Sequence, residues 1–145
     1  MNKLDNSEIN EVARVFGHLI RSHLLVVKRS LDEEGLCPSQ PGMIHALSQC
    51  KQATQVELAN KLNVTPATVS AMLKRMERDG LIERRRNEAD QRVTHVCLTE
   101  RGATQAKVVN QIFREHNIRA FGNFSKEELE QAMAIFNKLL VNLKD

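Results

Sequence analysis

The side chains best placed to do chemistry lie between positions 54 and 101. After Thr65-Pro66, the residues Ala67, Ser70, Ala71, Lys74 and Arg78 recur on one side at helical spacing, with Thr68 beside them. Arg84, Arg85 and Arg86 follow, then Asp90 and Arg92. Small side chains at the start of a helix let its backbone enter a nucleic-acid groove, and basic ones further along reach phosphates. The first-turn N–H groups beside Thr65 and Thr68 also favour a phosphate. A narrow minor groove draws in Arg through its negative potential, and Arg92 is the side chain expected there. Asp90 would be repelled by DNA. Its expected role is to hold Arg92 or another Arg by a charge-assisted hydrogen bond. No catalytic constellation competes with this pattern: the sequence has no phosphate-binding Gly loop, no metal-hydrolase helix and no nucleophile elbow.

The elements that must position these residues can be read around them. Thr54-Gln55-Val56-Glu57 is a capping box opening a short helix to Leu62. Asn63-Val64-Thr65 is a turn of the length that joins two helices at an angle. Thr65 caps the second helix and Pro66 suits its first position. That helix is predicted to run to about Asp79, where Gly80 stops it. Val69, Met72, Leu73 and Met76 form its core stripe, opposite the small-then-basic face. Leu81–Arg86 and Val93–Leu98 read as two strands around the polar loop Asn87–Arg92, the second rich in β-branched residues. Helix, short turn, helix and hairpin in this order define a winged helix-turn-helix, whose second helix enters the major groove.

Helices flank this unit. Ser7 is the expected cap of a first helix carrying Ile9, Val12, Phe16, Leu19, Ile20, Val27 and Leu31, running to about Ser30, with Gly35 in the next loop. Pro38 and Pro41 suit the first turn of a helix with Met43, Ile44 and Leu47. Thr99 caps a fifth helix that includes Val108 and Ile112. Ser125-Lys126-Glu127-Glu128 opens a last one with Leu129, Ala132, Met133, Phe136, Leu139, Leu140 and Leu143. The apolar stripes of the first and last helices are too wide for a small monomer and predict a two-fold dimer. The fold class is mainly α with a small β-hairpin wing. Residues 1–145 read as a single domain, with a DNA-binding lobe at 38–102 and dimerisation helices at 1–34 and 103–145.

Composition narrows the function further. The chain has 145 residues, 41% hydrophobic and 27% charged, an ordinary globular balance. Aromatics are 3%, all Phe, which disfavours base-stacking platforms for single strands. The net charge of +3 is concentrated: residues 51–102 carry 10 Lys and Arg against 7 Asp and Glu, and the rest carries 11 against 11. Apolar runs such as Leu24–Val27 and Ala132–Phe136 fall far short of the ~20 residues of a membrane span. Asp5, Glu8 and Glu11 argue against a secretory signal. Three cysteines, Cys37, Cys50 and Cys97, fit a cytoplasmic protein with reduced thiols. The histidines 18, 23, 45, 95 and 116 show no metal-binding spacing, so no metal or cofactor is expected.

These residues resemble the MarR (multiple-antibiotic-resistance-regulator) family of bacterial transcription regulators. The resemblance rests on Thr54–Ala59, Val64–Ser70, Leu73, Leu81–Arg84 and Asp90–Arg92, through Leu98-Thr99-Glu100-Arg101-Gly102. The spaced Asp-x-Arg followed by Leu-Thr-x-x-Gly is its most specific part. Gln91 stands where the family often has Arg, which weakens one wing contact. The resemblance implies a homodimer joined through the N- and C-terminal helices, bound to a pseudo-palindromic double-stranded operator. It implies repression as the commoner mode, with activation by displacing another DNA-binding protein as an alternative. It also implies a small-molecule effector held between the dimer helices and the DNA-binding lobe, a region His18, Arg21 and His45 could approach. A redox- or metal-responsive regulator of the same fold is the rival. The family's peroxide sensors use a Cys near the start of the first helix with Tyr partners, and this sequence has neither.

Overall fold

The computed structural model describes residues 6–36 and 40–144. The chain divides into two compact units, Met1–Ile112 and Phe113–Asp145. In order, the elements are α1 (Asn6–Glu33), α2 (Pro41–Ser48), β1 (Ala53–Thr54), α3 (Gln55–Leu62), α4 (Pro66–Arg78), β2 (Ile82–Arg86), β3 (Thr94–Leu98), α5 (Glu100–Phe121) and α6 (Lys126–Asn142). The expected cysteine and proline at 37 and 38 lie outside the described residues.

The core of the first unit is built from one face of each element. Met43, Ile44 and Leu47 of α2, Leu58 of α3, and Val69, Leu73 and Met76 of α4 are fully buried with Val96 of β3 and Val109 of α5. Each such side chain contributes about 1.5–3 kcal/mol by leaving water. Met72 belongs to the expected stripe but is half-buried, at its edge. In α5 the buried position is Val109 rather than Val108, which is half-buried.

Three helices end in the same way. The Gly35 N–H donates to the Asp32 carbonyl and the Leu36 N–H to the Leu31 carbonyl, with Gly35 at φ 67°. The same pair of bonds closes α4 around Gly80 at φ 73°, through Gly80 to Glu77 and Leu81 to Met76. It closes α3 around Asn63 at φ 51°, through Asn63 to Asn60 and Val64 to Ala59. The left-handed residue turns the chain and lets the following N–H groups reach the last carbonyls. Asn takes the glycine role in α3 because its short polar side chain tolerates that conformation.

Several boundaries differ from expectation. Ser7 lies within α1 rather than ahead of it, so it is not the cap, and α1 continues to Glu33, three residues past Ser30. The strands begin one residue later than expected, at Ile82 and Thr94. Val93 is diverted into the loop, where its N–H donates to the Asp90 carbonyl and its carbonyl accepts from Asn87. The sheet also has a third strand. β1 pairs antiparallel with β3, Ala53 opposite Val96 and Thr54 opposite His95, giving the order β1-β3-β2. β3 is therefore central, and β2 pairs with it from Ile82–Leu98 to Arg86–Thr94.

The second unit holds the end of α5 and all of α6. Phe121 and Phe124 meet edge to face, centroids 5.7 Å apart. The Ser125 hydroxyl accepts from the Glu128 N–H at 3.2 Å, and the Ser125 N–H donates to the Glu128 carboxylate at 2.8 Å, completing the expected capping box.

The joint between wing and α5 is the tightest backbone approach. A Cβ on Gly102 would stand 2.0 Å from the Leu81 carbonyl oxygen. Gly102→Ala is expected to lower stability by ~1–3 kcal/mol, the scale of overpacking a filled site. Urea denaturation monitored by far-UV circular dichroism checks it, and an unchanged midpoint would refute the close packing.

Candidate nucleic-acid interface

The exposed face of α4 is the centre of the site. The Thr65 hydroxyl accepts from the Thr68 N–H at 3.2 Å and lies 2.9 Å from the Thr68 hydroxyl. That cap fixes the first turn, and Pro66 at its first position has no N–H to satisfy. Thr65, Pro66, Ala67, Thr68, Ala71, Lys74 and Arg78 are exposed as expected. Ser70 is half-buried, at the margin of the exposed face and the core stripe.

Gln55, which the sequence pattern did not single out, ties the two helices together. Its side-chain amide donates to the Pro66 carbonyl at 3.1 Å, bridging the start of α3 to the start of α4. The capping box beneath it is complete: the Thr54 N–H donates to the Glu57 carboxylate at 2.7 Å, and the Glu57 N–H to the Thr54 hydroxyl at 3.2 Å. The Thr54 backbone N–H holds the Glu57 carboxyl below the usual range. No sequence signal marked this contact, because its partner lies eleven residues further along the chain.

The expected wing arginines differ in their surroundings. The Arg84 Nε donates to Glu77 of α4 at 3.3 Å. Arg85 pairs with Glu83 on its own strand, and that carboxylate raises the Arg85 pKa. Arg78 pairs with its neighbour Asp79 at 3.3 Å. Arg86, Arg92 and Lys74 are exposed and make no ion pair among the described residues.

Asp90 has a different partner from the one expected. Its carboxylate accepts the Arg92 backbone N–H at 3.0 Å, not the guanidinium. Asn87 acts likewise one turn earlier, its side-chain oxygen accepting from Ala89 at 2.8 Å. Short polar side chains bonding the main chain two residues on are the local alternative to strand pairing. The loop is thereby folded on itself, and the Arg92 side chain is left projecting from it.

The remaining candidates sit elsewhere. Burial pushes the Cys97 thiol pKa up, so it is a neutral packing group on the wing. Cys50 is half-buried and unbridged at the end of α2. His18 and Arg21 are exposed on α1. The His45 Nδ1 lies 2.7 Å from the Asn110 side-chain oxygen, a contact between α2 and α5. Ser48 completes this link, accepting from the Asn110 amide at 3.0 Å. Beside it is an open cleft of about 310 Å³ lined by Leu47, Ser48, Lys51, Leu98, Ala106 and Lys107.

A capped helix presenting small and basic residues, followed by an arginine-bearing three-stranded wing, defines a winged helix-turn-helix protein. Comparison with known proteins narrows the class. The MarR family model matches residues 42–94. Transcriptional regulator HosA of Escherichia coli is 30% identical over 105 residues, 72% of this chain and 78% of that one. The HTH-type transcriptional repressor MdtR of Bacillus subtilis is 29% identical over 110 residues, 76% of this chain and 71% of its own. In structure, the chain resembles the S. aureus MepR–DNA complex, with TM-score 0.79 and 27% identity, covering 90% of this chain and 97% of that one. The chain belongs to the MarR family.

The Asp90 geometry is testable in isolation. Asp90→Ala is expected to speed exchange of the Arg92 amide proton by a few-fold, since one hydrogen bond is worth about 1 kcal/mol. Asp90→Asn keeps an acceptor oxygen and should retain most of the protection. Hydrogen exchange followed by NMR reads both, and equal acceleration in the two variants would contradict the backbone role.

Proposed function

We propose that this chain is a DNA-binding transcription regulator that acts as a homodimer on a pseudo-palindromic duplex operator. The observation that carries this reading is the exposed start of α4, small and capped, beside two wing arginines without ion pairs. Thr65, Pro66, Ala67, Thr68 and Ser70 would face the major groove, with Lys74 and Arg78 on phosphates. Arg86 and Arg92 would serve the wing, Asp90 shaping the loop that carries Arg92. Arg84 and Arg85 reach DNA only by giving up Glu77 and Glu83. The named functions of MdtR, a repressor, and of MepR, solved with DNA, support regulation through DNA and favour repression. An all-regulator family argues against an enzyme.

The apolar side chains left in solvent support the dimer. Ile9, Val12, Leu19, Leu24 and Leu25 of α1 are exposed, Leu24 by 62%. In α6 no residue is buried, and Met133, Ile135, Leu140 and Val141 are all exposed. Exposed apolar side chains recurring along each of these helices favour an interaction site. A second copy covering both helices would set two α4 helices about one DNA turn apart. The cleft with Lys51 and Lys107 is the candidate place for an anionic small-molecule effector. No described helix is long and apolar enough to cross a membrane, which agrees with action in the cytoplasm.

Two measurements test the reading. Affinity for a duplex from the region upstream of the chain's own gene should fall steeply with salt, each neutralised phosphate adding about 0.9 to the log–log slope. Binding indifferent to salt would refute it. Arg92→Ala should weaken that binding about ten-fold, within the ~1–3 kcal/mol of a groove contact, and leave the melting temperature unchanged. A large loss of thermal stability would show Arg92 to be structural instead.

A further inference from the structure

We propose that Arg84 is a positioning residue for DNA reading, setting the wing against the recognition helix through Glu77, and not a phosphate contact. The proposal rests on the duplex-binding function above.

The register separates Arg84 from Arg85 and leaves Arg86 on the Arg84 side, opposite Thr94. Arg84 stands directly opposite Val96 on β3, two residues from Ile82. Val96 and Ile82 are both buried, so Arg84 shares the core-facing side of the sheet. Arg85 stands opposite His95, on the other side with Glu83. The Arg84 side chain is 30% exposed, against 68% for Arg85. Its head reaches back to the last turn of α4. There its Nε meets the Glu77 carboxylate.

The position of that bond is what gives it a role. α4 and β2 are joined by a turn of only Asp79, Gly80 and Leu81. The turn's own bonds hold the root of the wing, Leu81 to Met76 and Thr99 to Leu81. With the Thr99 hydroxyl on the Gly80 carbonyl and Arg101 on the Asp79 carbonyl, they fix the turn, but none of them joins α4 to β2 beyond Leu81. Among the described residues, Glu77–Arg84 is the ion pair that spans this angle. The angle decides whether the wing loop reaches a minor groove while α4 lies in the major groove. If Arg84 moved to a phosphate, the Glu77 charge would stand uncompensated beside the polyanion, so the gained contact would be offset by a new repulsion.

The test uses the full-length protein and a duplex selected by the wild type from a random pool. Arg84→Ala is expected to weaken binding roughly 5-fold, the scale of coupling between contacting residues, with an unchanged salt slope. Arg86→Ala, as the reference, should lower the slope by about 0.9. Exchanging the charges in one protein, Glu77→Arg with Arg84→Glu, should restore affinity to near wild type. A slope reduced by about 0.9 in Arg84→Ala, or an exchanged variant that binds worse than either single change, would overturn the proposal. Arg84→Gln keeps the stem and serves should the alanine variant fold poorly. If the wild type selects no duplex, the DNA-binding function itself fails. With a selected duplex in hand, slope and exchange judge Arg84 alone.

Discussion

The last turn of α4 must place its carbonyls, and the rest of the first unit is arranged around that requirement. A helix ends with carbonyl groups that have no partner inside it. Here the left-handed Gly80 satisfies two of them by turning the chain back. The next are met from α5. The Thr99 hydroxyl donates to the Gly80 carbonyl at 2.6 Å, and the Arg101 guanidinium to the Asp79 carbonyl at 3.1 Å. Thr99 also caps α5, its oxygen accepting the Gly102 N–H at 3.1 Å. One threonine thus ends one helix and begins another. Gly102 lets the two backbones meet at the Leu81 carbonyl, where a side chain would not fit. The exposed face of α4 is therefore held by contacts at its far end.

Most of this was legible because the signals are local. Thr54 with Glu57, Thr65 with Pro66, and Ser125 with Glu128 are cap chemistry, complete within four residues, and each stands where expected. Gly80 as a stop belongs to the same kind. What was not legible depends on partners distant in sequence. β1 is two residues long, too short for any alternation, and exists because β3 offers it an edge. Asp90 was expected to hold a charge, yet at that spacing the nearer donor is the Arg92 main-chain N–H. Gln55 and Pro66 are eleven residues apart, and nothing in either marks the other. Ser7 misled because a polar residue early in a helix need not be its cap.

The two ends of the chain show the complementary logic. Only Val27 and Leu31 of α1 reach the core, while the stripe before them stays in solvent. Such a stripe costs solubility in a monomer and is tolerable when something covers it. The low aromatic content fits the same division of labour. Five Phe and no Trp or Tyr leave little with which to stack on unpaired bases. Cations and a narrow helix face are what a groove in duplex DNA requires.

Net charge hides how these cations are deployed. Of the basic residues on α4 and the wing, Arg78, Arg84 and Arg85 each stand beside a carboxylate. Exposed pairs of this kind add little to fold stability, so stability is a poor reason for their number. Their consequence for binding is larger. A paired arginine presents little charge at a distance, which reduces indiscriminate attraction to any phosphate backbone. The cations on these elements with no ion pair among the described residues are Lys74 and Arg75 on α4 and Arg86 and Arg92 toward the tip of the wing. A modest excess of +3 is compatible with such a protein, because phosphate contacts only position it on the duplex while contacts to base edges discriminate among sequences.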